Sequence, residues 1–185
     1  SLVNNRLLHL HCGPGIDLKK LRQTGLISIT DSQGNEIGIS IINRRSKLDF
    51  YRPTGWPWKW YQNHDFYLHL NSALQEGQMY TISFNDLLPL TCGRSDISFT
   101  YKQKESINYA IKLNQYGYLQ ESKKYAYVGL WMGDGNAADF SPYMKNFTIR
   151  DANTHAIAYT GKPTLRQKAT YTLIKGRLQP DPKRV

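Results

Sequence analysis

The sequence predicts an all-β protein made of two tandem β-sandwich domains, residues 1–105 and 106–185. The first observation is composition: 13 Tyr, 4 Trp and 6 Phe accompany many Thr, Ser and Ile, and these residue types favour strands. The second is that short apolar segments recur between Gly-, Asn- and Asp-containing turns, at the spacing typical of a sandwich. A chain of 185 residues is long enough for two small cores.

Residues 1–105 contain six segments with the pattern of short strands. These are residues 7–10, 26–30, 36–42, 66–70, 79–84 and 97–101. Asp31–Asn35 and Leu74–Gln78 are the predicted turns between consecutive strands. Asp17 is placed to cap one helical turn over residues 18–22. The polar stretch 102–108 is interpreted as the linker to the second domain.

The second domain begins with an alternating run, residues 110–114, that predicts a half-buried strand. Gly117 permits a bend, and residues 125–130 form the predicted return strand. Further on, residues 147–150 and 156–159 flank a turn and predict a hairpin, and 171–174 form a last strand. The tail from residue 176 carries two prolines and several charges, so we expect it to be unpaired.

Charge and hydropathy restrict the function classes. The net charge of +10 and the pI of 9.6 are typical of a protein with an anionic partner, but a dispersed positive charge also suits a well-solvated surface. The basic residues are scattered, and their densest groups are residues 19–22 and 44–47. No apolar run approaches the ~20 residues of a membrane-spanning helix.

No constellation of catalytic or metal-binding residues stands out. Cys12 and Cys92 are consistent with a disulfide or with two buried thiols. The loop 133–136 carries oxygen ligands without the spacing of a calcium loop. There is no nucleophile elbow, phosphate loop or zinc spacing. We therefore expect a chain that is not an enzyme, with no metal and no cofactor.

The most unusual stretch of the first domain is an aromatic row. Its candidate ligand-binding residues are Trp56, Trp58, Trp60 and Tyr61. In an extended chain the three tryptophans point to one side, and such a row stacks on sugar rings or nucleobases. Basic residues flank it, namely Arg44, Arg45, Arg52 and Lys59. The alternative interpretation is a flap packed on the sandwich, because exposed tryptophans are costly.

Two stretches carry a resemblance to a known family. Residues 110–119 hold an Asn-Gln-x-Gly-Tyr core, and together with residues 123–126 they resemble the opening of the immunoglobulin-like module that precedes the catalytic barrel in family 9 glycoside hydrolases. Gln120 and Glu121 stand where that family often has proline. Residues 147–162 resemble the hairpin of the same module, with His155 in place of a common turn glycine. Residues 67–84 are similar, more generally, to immunoglobulin- and fibronectin-like accessory modules of bacterial surface proteins.

The resemblance implies two tandem immunoglobulin-like sandwiches, the second expected to be incomplete at its C-terminal end. It also implies a non-catalytic accessory region of a larger carbohydrate-active protein, partnered with a downstream catalytic domain of the same polypeptide and in contact with polysaccharide. A secreted, periplasmic or cell-surface location follows from the same likeness. The family's catalytic carboxylates lie in the barrel, so none is assigned here. Nucleic acid is not the favoured partner, but a polyanion- or protein-binding module that uses the basic, Trp-rich segment is the alternative.

Overall fold

The computed structural model describes residues 2–13, 24–52, 56, 59–84, 96–166, 171–174 and 177–180. Thirteen strands lie in these ranges, in the order β1 Leu2–Asn4, β2 Leu7–Cys12, β3 Ile27–Asp31, β4 Ile39–Arg52, β5 Lys59–Leu70, β6 Met79–Phe84, β7 Asp96–Thr100, β8 Ile111–Lys112, β9 Tyr127–Val128, β10 Phe147–Arg150, β11 Ile157–Gly161, β12 Tyr171–Ile174 and β13 Arg177–Pro180. Short 3₁₀ helices are the only helices within the described ranges. The predicted all-β class is confirmed.

Two antiparallel sheets form the first sandwich. One has the strand order β1-β2-β5-β4, and the other has the order β3-β6-β7. Alternation along the strands turns one face of each sheet inward: Leu8 pairs with Leu68 in the first sheet, and Ile29 pairs with Ile82 in the second. The buried members of this core are Leu8, Ile27, Ile29, Phe66, Leu68, Leu70, Leu74, Tyr80, Ile82, Phe84 and Tyr101.

The predicted turn between β3 and β4 is confirmed. Oδ1 of Asp31 accepts hydrogen bonds of 2.9 Å from the backbone N–H groups of Gln33 and Asn35. Gly34 adopts a φ of 83°, which a residue with a Cβ rarely tolerates. These hydrogen bonds lower the pKa of the Asp31 carboxyl, the largest contribution coming from the Asn35 side chain. The turn chemistry in the sequence was therefore sufficient to locate this connection.

The β4–β5 hairpin is much longer than the sequence predicts. Strands were expected over 36–42 and 66–70, whereas pairing continues to Arg52 opposite Lys59. β2 ends opposite His64, so within the part of the chain that the structure describes, the strand residues past that point pair with each other as a two-stranded arm. The side chains of residues 46–49 are exposed, and strand residues that face no core need no apolar alternation for sequence analysis to detect.

Residues 1–138 form one compact unit and residues 139–185 another. In the first unit, β8 pairs with β9, and the predicted bend at Gly117 has a φ of 84°. The expectation of a half-buried strand over 110–114 is wrong for Ile111 and Leu113, which are 52 % and 62 % exposed. The ladder between β8 and β9 has two residue pairs, and no second sheet of described residues lies against it to bury these side chains. The boundary between residues 105 and 106 stays a prediction.

The second unit contains two hairpins, β10–β11 and β12–β13. The first lies where the sequence predicts it, with Ile149 opposite Tyr159. The expectation of an unpaired tail is wrong for Arg177–Pro180, which pairs with β12, because a proline at the end of an edge strand removes no essential ladder hydrogen bond. The helical turn predicted at 18–22 and the side chain of Cys92 lie outside the described residues.

Candidate functional site

The first sheet has a second face, opposite the sandwich core, which we call the outer face. Its side chains are those that alternate with Leu8, Phe66 and Leu68. Neighbouring strands place them in two adjacent rows, His9–Tyr67–Asn43 and His11–Asp65–Arg45, with His69 next along β5. This face concentrates three histidines and a carboxylate on the neighbouring strands β2 and β5, and Asn43 and Arg45 come from β4.

Asp65 holds two of these histidines together. Its Oδ1 lies 3.0 Å from Nε2 of His9 and 2.9 Å from Nδ1 of His11, and because an ionised carboxylate only accepts, both ring nitrogens donate. Burial raises the pKa of Asp65, but the hydrogen bonds from His11 and His9 outweigh it, and the pKa is lowered overall. Burial is the largest cause acting on the pKa of His9 and lowers it, Asp65 raises it, and the pKa is lowered overall.

Aromatic rings enclose His9. The ring of Tyr67 stacks on it at a centroid distance of 5.0 Å, and Tyr109 meets it edge-on at 5.7 Å. Tyr67 is 2 % exposed, and this burial raises the pKa of its hydroxyl. Tyr109 comes from the chain that follows the sandwich, so a second segment covers the outer face.

That segment, residues 107–138, is fastened to the sandwich at several points. Nδ2 of Asn108 donates a 2.8 Å hydrogen bond to the carbonyl oxygen of Val3. Among the described residues, five buried apolar side chains lie outside the sandwich core: Val3, Leu7, Tyr67, Ala110 and Met132. They come from both the sandwich and the segment, and alternation places Leu7 and Tyr67 on the outer face. The polar stretch interpreted as a linker therefore leads directly into a packed contact.

The most closely fitted part of this contact is a 3₁₀ helix, Gly133–Gly135, against the edge strand β4. The backbone N–H of Arg44 donates a 2.7 Å hydrogen bond to Oδ1 of Asp134. Nη1 of Arg45 donates to the carbonyl oxygen of Trp131 over 3.4 Å. A Cβ on Gly133 would collide with the carbonyl oxygen of Arg44. Gly133 and Gly135 allow the helix to approach β4 more closely than residues with side chains could. The helix therefore covers part of the otherwise open edge of β4.

The oxygen-rich loop that the sequence contains is thus a docking element. Asp134 accepts from the backbone of Arg44, and Gly135 faces the side chain of Asn43 so closely that a Cβ there would collide with it. Asn43 Oδ1 in turn lies 2.7 Å from Nε2 of His69. Among the residues the structure describes, no three His, Cys, Asp or Glu side chains come together in a metal-binding arrangement.

The described members of the predicted aromatic row belong to the two-stranded arm and its connection. Trp56 is 85 % exposed in the connection between β4 and β5. Trp60 and Tyr61 lie on β5, opposite Tyr51 and Phe50, whereas Trp58 lies outside the described residues. Two of the four flanking basic residues, Arg44 and Arg45, are half-buried beside the segment 107–138. The role of Trp56, Trp58, Trp60 and Tyr61 in ligand binding stays a prediction.

The segment that covers the outer face lies at the start of a family match. Residues 107–173 match the cellulase N-terminal Ig-like domain. The match covers less than half of the chain, and it confirms the resemblance that residues 110–119 and 147–162 carry. The matched domain is a non-catalytic immunoglobulin-like domain. No curated protein and no solved structure matches the chain significantly.

Within the Ig-like region, the β10–β11 hairpin is amphipathic. Its register places three apolar side chains on one face, each 40–56 % exposed: Phe147, Ile149 and Tyr159. Ile157, which follows a register shift, pairs with Arg150 instead. Thr148, Arg150 and Thr160 occupy the other face and are also exposed. An isolated two-stranded hairpin is only marginally stable in water, so this apolar face is suited to packing against another surface. No helix among the described residues is long and apolar enough to cross a membrane.

Sequence reasoning missed the outer face entirely. A signal exists, since His9 and His11 alternate with Leu8 and Leu10, and Tyr67 and His69 alternate with Leu68 and Leu70. Such alternation shows that these side chains share the face opposite the core. It does not show which strands are neighbours, nor that residues from 107 onward cover the histidines.

Proposed function

We propose that this chain is a non-catalytic accessory region of a larger, secreted carbohydrate-active protein, and that it supports a catalytic domain of the same polypeptide. The observation that carries the proposal is the match of residues 107–173 to the cellulase N-terminal Ig-like domain. A domain of this kind stabilises its neighbour by giving it a surface to pack on, so the relevant chemistry is burial of apolar area.

The apolar face of the β10–β11 hairpin supports this proposal. Fully burying a large apolar side chain contributes about 1.5–3 kcal/mol, and three such side chains, Phe147, Ile149 and Tyr159, are about half exposed on this face. Covering them with an adjoining domain therefore provides enough favourable free energy to hold two domains together. The polar face of the same hairpin, with Thr148 and Arg150, remains in water.

The first experiment is to read the encoding gene beyond Val185 and to express the chain with and without the catalytic domain found there. We expect slower amide hydrogen exchange in β10 and β11 when the two are joined. Tyr159→Ser should lower the melting temperature of the joined catalytic domain, while Thr160→Ser on the opposite face serves as the matched control. Equal exchange in the two proteins, or equal effects of the two variants, would refute the packing role.

The second candidate function is ligand contact by the two-stranded arm, and the exposure of Trp56 favours it. If the arm binds polysaccharide, Trp56→Ala should weaken binding of soluble cello-oligosaccharides with little dependence on salt. A polyanion-binding arm would instead bind single-stranded DNA with an affinity that falls steeply as salt increases. Titration of both ligands at two salt concentrations separates these functions. If neither ligand binds, both functions are excluded.

A further inference from the structure

We propose that the segment 107–138 is held on the outer face by an acid-sensitive contact, in which His9 and His69 support the segment only while they are uncharged. Both histidines lie on the sheet that the segment covers, and each touches a residue that belongs to the contact. The acid response resides in residues 1–138 and does not depend on the proposed catalytic partner.

His9 is the first half of the contact. It is 8 % exposed, and the ring of Tyr109 from the segment meets its ring edge-on. At this buried position a charged imidazolium loses favourable hydration free energy, so burial favours the uncharged ring. Among the described residues, the titratable groups near His9 include Asp65 and Tyr67 on β5, His11 on β2 and Tyr109 of the segment. The amino-terminal charge also lowers the pKa of His9.

Asp65 opposes this effect but does not cancel it. Its carboxylate attracts a proton on His9, yet it also accepts from His11, and the amino terminus and His11 act against protonation of His9. Burial is the largest single cause, and the pKa of His9 is lowered overall. Removing the tyrosine cover would let water reach the ring, so protonation and uncovering favour each other.

His69 is the second half. Its Nε2 donates to Oδ1 of Asn43 over 2.7 Å, and the same Asn43 side chain lies directly under Gly135 of the segment. Burial lowers the pKa of His69. When Nδ1 of His69 is also protonated, its N–H needs a new acceptor or a water molecule. A shift of Asn43 and of the 3₁₀ helix Gly133–Gly135 would admit that water.

His64 provides an internal comparison. It lies on the inner side of the same sheet, hydrogen-bonded to Ser46 at 2.9 Å and tilted against the ring of Phe66. Burial, followed by the charge of Arg44, lowers its pKa as well. Protonation of His64 would weaken the sandwich as a whole, whereas protonation of His9 and His69 would release the segment first. The two effects differ in which amides become exposed.

The test is hydrogen exchange of the complete chain at pH 7.5 and 5.5, expressed as protection factors corrected for the intrinsic rate. Amides 129–136 and the amide of Arg44 should lose protection in acid while β3 and β6 keep theirs. The expected loss is roughly tenfold for each unit by which burial lowers a histidine pKa. His9→Gln with His69→Gln should abolish the response, and His155→Gln, on the turn between β10 and β11, should retain it.

A second measurement needs no variant. Nuclear magnetic resonance of the unmodified chain follows the imidazole signals of His9 and His69 and the amide signal of Arg44 through one pH titration. We expect the Arg44 amide to leave its hydrogen-bonded position as the histidines titrate. Equal loss of protection in β3 and in residues 129–136, an unchanged Arg44 amide, or a double variant that responds like the parent chain would each overturn the proposal.

Discussion

The backbone N–H of Arg44 donates a 2.7 Å hydrogen bond to Oδ1 of Asp134, a residue 90 positions later in the chain. Arg44 lies on β4, which is the last strand of its sheet. An edge strand presents unpaired backbone groups, and Asp134 satisfies one of them with a charged acceptor. This bond therefore joins the sandwich to the start of the Ig-like region.

Removing the carboxylate should weaken this junction. We expect Asp134→Ala to lower the free energy of unfolding by about 1 kcal/mol, because a hydrogen bond to an exposed charged group makes a modest net contribution. Asp134→Asn keeps an acceptor oxygen and should lose less. Urea unfolding of the full chain measures both, and an alanine variant as stable as the parent would contradict the assigned role.

Gly133 should be the most sensitive position of the contact. An alanine there places its Cβ against the carbonyl oxygen of Arg44, at a φ of 70°, so we expect Gly133→Ala to cost at least about 2 kcal/mol. Gly129→Ala is the matched control, since a Cβ at that glycine meets nothing within 4 Å. Thermal unfolding of the two variants makes the comparison, and similar melting temperatures would show that the close approach is unimportant.

The sandwich should depend on the segment that covers it. A fragment of residues 1–106 would expose Tyr67 and His9, both buried in the whole chain, so it should be less stable than the fragment 1–138 by about 2–4 kcal/mol. Circular dichroism during urea unfolding provides the measurement. Equal midpoints for the two fragments would mean that the outer face tolerates water.

Stability should fall as the pH decreases below about 6.5, the ordinary pKa of histidine. His9, His64 and His69 have lowered pKa values in the folded chain, so the unfolded chain binds more protons between their folded and unfolded pKa values, and the free energy of unfolding rises with pH there. The lowered pKa of Asp65 adds a loss only in stronger acid. Urea midpoints at pH 7.5, 6.5 and 5.5 test the sign, and a rise on acidification would reverse it.

The turn between β10 and β11 should be improved by a glycine. His155 adopts a φ of 57°, and its N–H bonds the carbonyl oxygen of Asp151. This conformation is unfavourable for a residue with a Cβ, so His155→Gly should stabilise the hairpin by up to about 1 kcal/mol. Protection of β10 and β11 amides from exchange reports the gain, with Thr154→Gly as a control that also loses a side-chain hydrogen bond to Asp151. Faster exchange in the His155 variant would count against this account.

Local patterns in the sequence were sufficient for the hairpins and turns. Alternating apolar residues located β3, β6, β10 and β11 within a residue or two, and the Asp31 turn and the Gly117 bend followed from residue chemistry alone. The Asn-Gln-x-Gly-Tyr core also identified the Ig-like region, because a family signature is carried by neighbouring residues. These features depend on interactions among residues close together in the chain.

Only the tertiary structure decided what lies on the outer face. Neither the neighbour of Arg44 nor the cover over His9 can be read from local periodicity, since the contacts join residues about 90 positions apart. Alternation states that a side chain faces away from the core, but water and a packed segment are equally compatible with that statement. His9 became buried through long-range packing, and this burial lowers its pKa.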